Sequence, residues 1–130
     1  MSYKEYTVKV YDNGTTFWYL NGKLHRENGP AILRNDGSKE WFFNGQLHRE
    51  DGPAIEAGNG TKFWFLNGQR HREDGPAVEY PNGSKMWYFN GEGYTEEEFL
   101  KKTSPVKEYT VADLEKLLGH PVKIIKENNE

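Results

Sequence analysis

The sequence predicts a mainly β protein: an elongated antiparallel repeat sheet of stacked hairpins followed by a small C-terminal α/β segment. Three observations carry that prediction. Trp18, Trp41, Trp64 and Trp87 recur every 23 residues, and a fixed period of this kind marks a repeat architecture. Every unit runs from aromatic residues into an Asn-Gly pair, a strand followed by a hairpin-turn signal. Composition then changes past Gly91, since 16 of the 19 aromatic residues and 12 of the 14 glycines lie in residues 1–91. We therefore divide the chain into a repeat region, 1–91, and a C-terminal segment, 92–130.

Each element follows from its residues. Val8 to Tyr11 read as a half unit that starts the sheet. The first strand of each unit is its aromatic run: Phe17-Trp18-Tyr19-Leu20, Trp41-Phe42-Phe43, Phe63-Trp64-Phe65-Leu66 and Trp87-Tyr88-Phe89. Asn21-Gly22, Asn44-Gly45, Asn67-Gly68 and Asn90-Gly91 supply the positive φ of a tight turn. A second strand begins after Gly29-Pro30, Gly52-Pro53 and Gly75-Pro76, with Ala-Ile-Leu, Ala-Ile-Glu and Ala-Val-Glu. Proline is tolerated there because the first strand position needs no ladder donor. Turns bearing Gly37, Gly60 and Gly83 lead to the next unit, and each two-strand unit advances the sheet by about 10 Å.

Side chains alternate across a strand. Trp and the residue two later (Leu20, Phe43, Leu66, Phe89) share one face, which is expected to be buried core. Tyr19, Phe42, Phe65 and Tyr88 take the other face with Phe17, Glu40, Phe63 and Met86. In the C-terminal segment, Thr95 with Glu98 and Thr110 with Asp113 are capping-box signatures, placing one helix up to about Lys102 and another carrying Val111, Leu114, Leu117 and Leu118 on one face. Gly119 and Pro121 stop the second helix, and Val122 to Lys126 alternate as an edge strand. This segment reads either as a cap, which stacked repeats need at their ends, or as a small dimerisation or docking module.

Composition excludes several classes. The chain has 130 residues, no Cys and a net charge of −3; the absence of Cys removes disulfide scaffolds and thiolate metal sites. Residues 1–91 carry 11 acidic and 11 basic side chains, and residues 92–130 carry 9 and 6, an unpromising balance for general nucleic-acid binding. No run reaches the roughly 18–20 apolar residues of a membrane span, and the N-terminus has no apolar signal-peptide core. A soluble, cytoplasmic protein is expected.

The repeats also share His25, His48 and His71, each followed by Arg26, Arg49 or Arg72. The pattern Trp-x-x-Asn-Gly-x-x-His-Arg-x-x-Gly-Pro-Ala over roughly residues 6–91 resembles the MORN repeat family. It departs from the common pattern in one extra residue before Asn-Gly and in Arg rather than Gly after His, and is similar to divergent MORN-like repeats of viral and bacterial proteins. The resemblance implies a β-solenoid interaction scaffold that binds proteins, or lipids in some members, and no particular reaction. For a small stand-alone chain it implies, most concretely, a phage-encoded inhibitor that masks a host defence protein in the host cytoplasm. Two alternatives stand beside it: a sequesterer of a nucleotide or other small anionic or planar molecule, and an antitoxin that neutralises a bacterial toxin.

No catalytic, metal or cofactor site is expected. Equivalent histidines about 10 Å apart do not share one ion whose bonds are about 2.1 Å long, so each His is read as fixing its turn through hydrogen bonds. Paired carboxylates such as Glu50-Asp51 and Glu73-Asp74 recur by repetition, whereas catalytic sites are single and concave. The expected binding residues are Tyr19, Phe42, Phe65 and Tyr88 with Arg26, Arg49 and Arg72, since exposed aromatic patches mark binding and aromatic and Arg side chains dominate interface energies. Whether the second aromatic face is open or covered by the C-terminal helices is left open, as is oligomer formation through that segment.

Overall fold

A computed structural model describes residues 3–104, 108–123 and 125. It is mainly β, an antiparallel sheet of many strands with two short helices. Strand β1 (Tyr6–Val10) pairs with β2 (Thr16–Leu20), with Tyr6 opposite Leu20 and Val8 opposite Trp18. Next come β3 (Lys23–Leu24), β4 (Ile32–Leu33), β5 (Lys39–Glu40), β6 (Phe42–Phe43), β7 (Gln46–Leu47), β8 (Ile55–Glu56) and β9 (Lys62–Phe63). The run ends with β10 (Phe65–Leu66), β11 (Gln69–Arg70), β12 (Val78–Glu79), β13 (Lys85–Phe89) and β14 (Glu92–Tyr94), then α1 (Glu96–Thr103) and α2 (Val111–Leu118).

The main sheet runs β1-β2-β4-β5-β8-β9-β12-β13-β14, with β3 on β2; β6-β7 and β10-β11 form small ladders of their own. The first unit therefore contributes three strands and the second and third four each, their aromatic strand being broken at Trp41 and Trp64, where the sequence predicts two; β3, β7 and β11 are the piece added in every unit. The extra piece follows from turn chemistry. Asn21, Asn44, Asn67 and Asn90 have φ of 50–53°, and the glycines after them are also at positive φ. Such a two-residue turn folds the next residues straight back, pairing Tyr19 with Leu24, Phe42 with Leu47 and Phe65 with Arg70. The connections between units use a different turn. Asn13, Asp36, Asn59 and Asn82 accept the backbone N–H two residues on, and the glycine between has φ near 90°.

The core differs from the expected buried Trp row. Ala31, Ala54, Ala77 and Val78 are fully buried, and Ile32, Phe99, His25 and His71 nearly so. The four Trp are half-buried. Trp18, Trp41 and Trp64 donate their backbone N–H to the carbonyls of Ala31, Ala54 and Ala77, so each small buried Ala lies directly across from a Trp. Ile32, Ile55 and Val78 lie on the opposite face, paired with Phe17, Glu40, Phe63 and Met86. Burial is therefore shared between the Ala row and the Ile32 and Val78 side chains of the opposite face, and the large Trp rings stay part-exposed.

Both helix starts carry the predicted capping boxes, at Thr95 with Glu98 and at Thr110 with Asp113. Gly119 ends α2 in the left-handed conformation with φ 74°. Helix α1 packs on β13 and β14 and buries Phe99. Of the expected edge strand, Ile124 and Lys126 lie outside the described residues, and Val122, Lys123 and Ile125 are not in a strand; Val122 N–H donates to the Glu115 carboxylate at 3.3 Å instead of to a ladder. No described helix is long and apolar enough to cross a membrane.

Candidate functional site: two unlike faces of one sheet

The loop from His to Gly-Pro forms the same arch three times over the Trp side. The guanidinium carbons of Arg26, Arg49 and Arg72 lie 3.9, 3.8 and 4.0 Å from the ring centres of Trp18, Trp41 and Trp64, a stacked cation–π contact. The other side of each guanidinium faces a glycine: a Cβ at Gly29, Gly52 or Gly75 would come within 3.1, 3.1 and 2.9 Å of it. Each Arg is thus sandwiched between a ring and bare backbone. Arg49 donates to Pro53 O, Asp51 and Glu56 at 3.1, 3.1 and 3.2 Å, and Arg72 donates to Pro76 O, Asp74 and Glu79 at 3.0, 2.8 and 3.1 Å. The bond from Arg72 holds the Asp74 carboxyl below its ordinary range.

The histidines tie one unit to the next. Nδ1 of His25, His48 and His71 accepts the backbone N–H of Asn44, Asn67 and Asn90 at 2.9, 3.0 and 2.9 Å. Their Nε2 atoms face Glu27, Glu50 and Glu73 at 3.5–3.6 Å. This is the hydrogen-bonded turn-fixing role read from the sequence. It also gives an expected result: His71→Ala removes the acceptor for Asn90 N–H and leaves a gap beside Phe89, whose ring is 4.5 Å away. Urea denaturation should show a loss of about 2 kcal/mol, in the range for a stranded donor; an unchanged midpoint would mean that the bond adds nothing.

The second face carries Tyr19, Phe42, Phe65 and Tyr88, all half-buried. Cross-strand neighbours place Leu24, Leu47 and Arg70 beside the first three. Lys9 lies 5.1 Å over the Tyr19 ring, and Arg70 lies 5.2 Å from Tyr88 and 5.7 Å from Phe63. Helix α1 sits at the other face, lining a cleft with Trp87, Gly75 and Pro76, and Lys102 stands 5.3 Å over the Phe89 ring. Helix α1 packs on β13 and β14, away from Tyr19, Phe42 and Phe65, yet this face is partly closed, since Ile32 and Val78 on it are 4% and 0% exposed.

The seven expected binding residues are therefore not one surface. The four rings share the second face, while Arg26, Arg49 and Arg72 lie on the Trp side, within the arches. Arg70 is the cation that does join the rings, and the sequence analysis missed it because the equivalent positions hold Leu24 and Leu47 and so give no repeated signal. Among the described residues no group of three or more His, Asp and Glu side chains is placed to hold a metal ion. Comparison with known proteins finds no matching family model, no matching curated protein and no matching solved structure.

Proposed function

We propose that the protein is a non-catalytic binding protein and that it contacts a protein partner through the second aromatic face. The observation that carries this reading is the row Tyr19, Phe42, Phe65 and Tyr88, one partly exposed ring per unit, with Arg70 and Lys9 at its sides. Rings of this kind give large contact area, and a row of partly exposed aromatic side chains along a sheet is where an interaction site is expected. In this reading the chain is a MORN-like solenoid, supported by its 23-residue period and repeated arches, and α1 is its cap, supported by the docking of Phe99 where the fourth unit has no His-Arg loop.

Masking of a host defence protein by a phage product is the concrete form that the resemblance to viral repeats favours. The test is a pull-down from bacterial lysate with the wild-type chain and with a Phe42→Ala, Phe65→Ala double variant checked for folding by circular dichroism. The wild type should recover a stoichiometric protein that the folded double variant loses. Equal recovery by both would move the contact off this face, and release of a nucleotide on heating instead of a protein would favour sequestration.

A further inference from the structure

The three arches are alike except in their acids. Arg49 and Arg72 each spend their guanidinium on two carboxylates of their own unit, Asp51 with Glu56 and Asp74 with Glu79. In the first unit the corresponding positions are Asn28 and Leu33. Arg26 keeps the same stack on Trp18 and the same bond to its proline carbonyl, at 3.3 Å. Among the described residues no carboxylate lies within ion-pairing distance of it: the neighbouring Glu27 is paired with Lys4 and faces His25. A guanidinium has five N–H donors in a fixed fork, so Arg26 is oriented like its counterparts with its acidic partners missing.

Local charge follows the same exception. Residues 23–33 hold two basic and one acidic side chain, 46–56 hold one and three, and 69–79 hold two and three, giving net +1, −2 and −1. We propose that Arg26 receives a carboxylate in trans, from an Asp or Glu side chain of a partner polypeptide, in the place that the chain's own acids fill at Arg49 and Arg72. The chain itself supplies the template for this contact, a carboxylate on Nε at about the 2.8–3.1 Å seen for Asp74 and Asp51. Leu33 and Phe43, exposed by 38% and 45%, offer apolar contact to the residues beside such an acid. Arg26 lines a cleft of about 630 Å³ with Phe43, Arg49 and the carboxylates Glu27, Glu50 and Asp51, whose net negative charge opposes a phosphate dianion more than a single carboxylate. The surface lies on the Trp side and is separate from the aromatic face, so failure of one proposal leaves the other standing.

The experiment follows the Arg Nε–H resonances of the folded full chain during titration with a blocked Leu-Glu-Leu tripeptide, its Leu-Gln-Leu counterpart and acetate. The Glu peptide should move the Arg26 signal and leave those of Arg49 and Arg72 in place, and the Gln peptide should move none. Asn28→Asp restores the internal acid on Nε, as at Asp51 and Asp74, and leaves Leu33 and Phe43 in place; it should weaken the peptide about tenfold or more, the worth of one charge-assisted hydrogen bond. An unmoved Arg26, equal movement of all three arginines, or undiminished binding by the Asn28→Asp variant would overturn the proposal. Acetate acting as strongly as the Glu peptide would overturn the polypeptide source.

Discussion

Replacing Trp64 by Ala should lower the unfolding free energy by about 3 kcal/mol, the low end for large aromatic truncations because the ring is half-buried. The loss has two parts. The ring stands across from fully buried Ala77, whose carbonyl accepts the Trp64 backbone N–H at 2.8 Å, and truncating it removes half-buried apolar surface. The ring is also the platform for Arg72, 4.0 Å away, and a cation–π contact of this kind contributes about 1 kcal/mol. Trp64→Phe keeps a smaller platform and should lose about half as much. Urea denaturation followed by far-ultraviolet circular dichroism measures both variants. A loss below about 1 kcal/mol for Trp64→Ala, the size of an ordinary substitution, would show that the ring is an ornament of the sheet instead of its cover.

Phe99→Ala should have an effect of similar size by a different route. Phe99 is only 2% exposed, and it is the buried residue by which α1 holds to β13 and β14. Truncating it should cost about 3 kcal/mol and free α1 from the end of the sheet. Trp87 and Phe89 on β13 then lose their cover on the Trp face, and an exposed apolar patch invites association between molecules. Urea denaturation together with sedimentation velocity reads both consequences, lower stability and self-association. A variant that stays monomeric at wild-type stability would make 92–130 an independent docking module, the alternative to a cap. The lesser covering of α2 agrees with this division: none of its residues is buried, and Leu117 and Leu118 are 69% and 56% exposed.

Much of the fold was legible in the sequence because its signals are local. Asn-Gly at a fixed place in each unit demands positive φ, and the structure has it at all four. Thr95 and Thr110 with acids three residues on gave both helix starts within the capping rule. The short return strands were not legible, since two residues such as Gln46-Leu47 are too few to show alternation. The placement of the arginines was not legible, for a physical reason. Strand alternation says which face a residue in a ladder takes, but Arg26, Arg49 and Arg72 stand in loops, whose direction it does not determine. A usable signal was present: Arg follows Trp by eight residues and Gly follows Arg by three in each of three units. Only a glycine admits a guanidinium pressed against its Cα, so the recurring Gly was a mark of the stacked arch as well as of a turn.

The central claim is a division of labour, with the arches over the Trp side holding the fold and the second aromatic face binding. It is tested most directly by measuring two quantities, unfolding free energy and affinity for the partner recovered from lysate, on Arg49→Ala and Phe42→Ala side by side. The account predicts that Arg49→Ala loses about 2 kcal/mol of stability, from its stacked and charge-assisted contacts, at near wild-type affinity. Phe42→Ala should lose at least about tenfold in affinity, as a central hot-spot ring does, with the smaller stability change. Wild-type affinity in folded Phe42→Ala, with the loss of binding falling on Arg49→Ala instead, would contradict it.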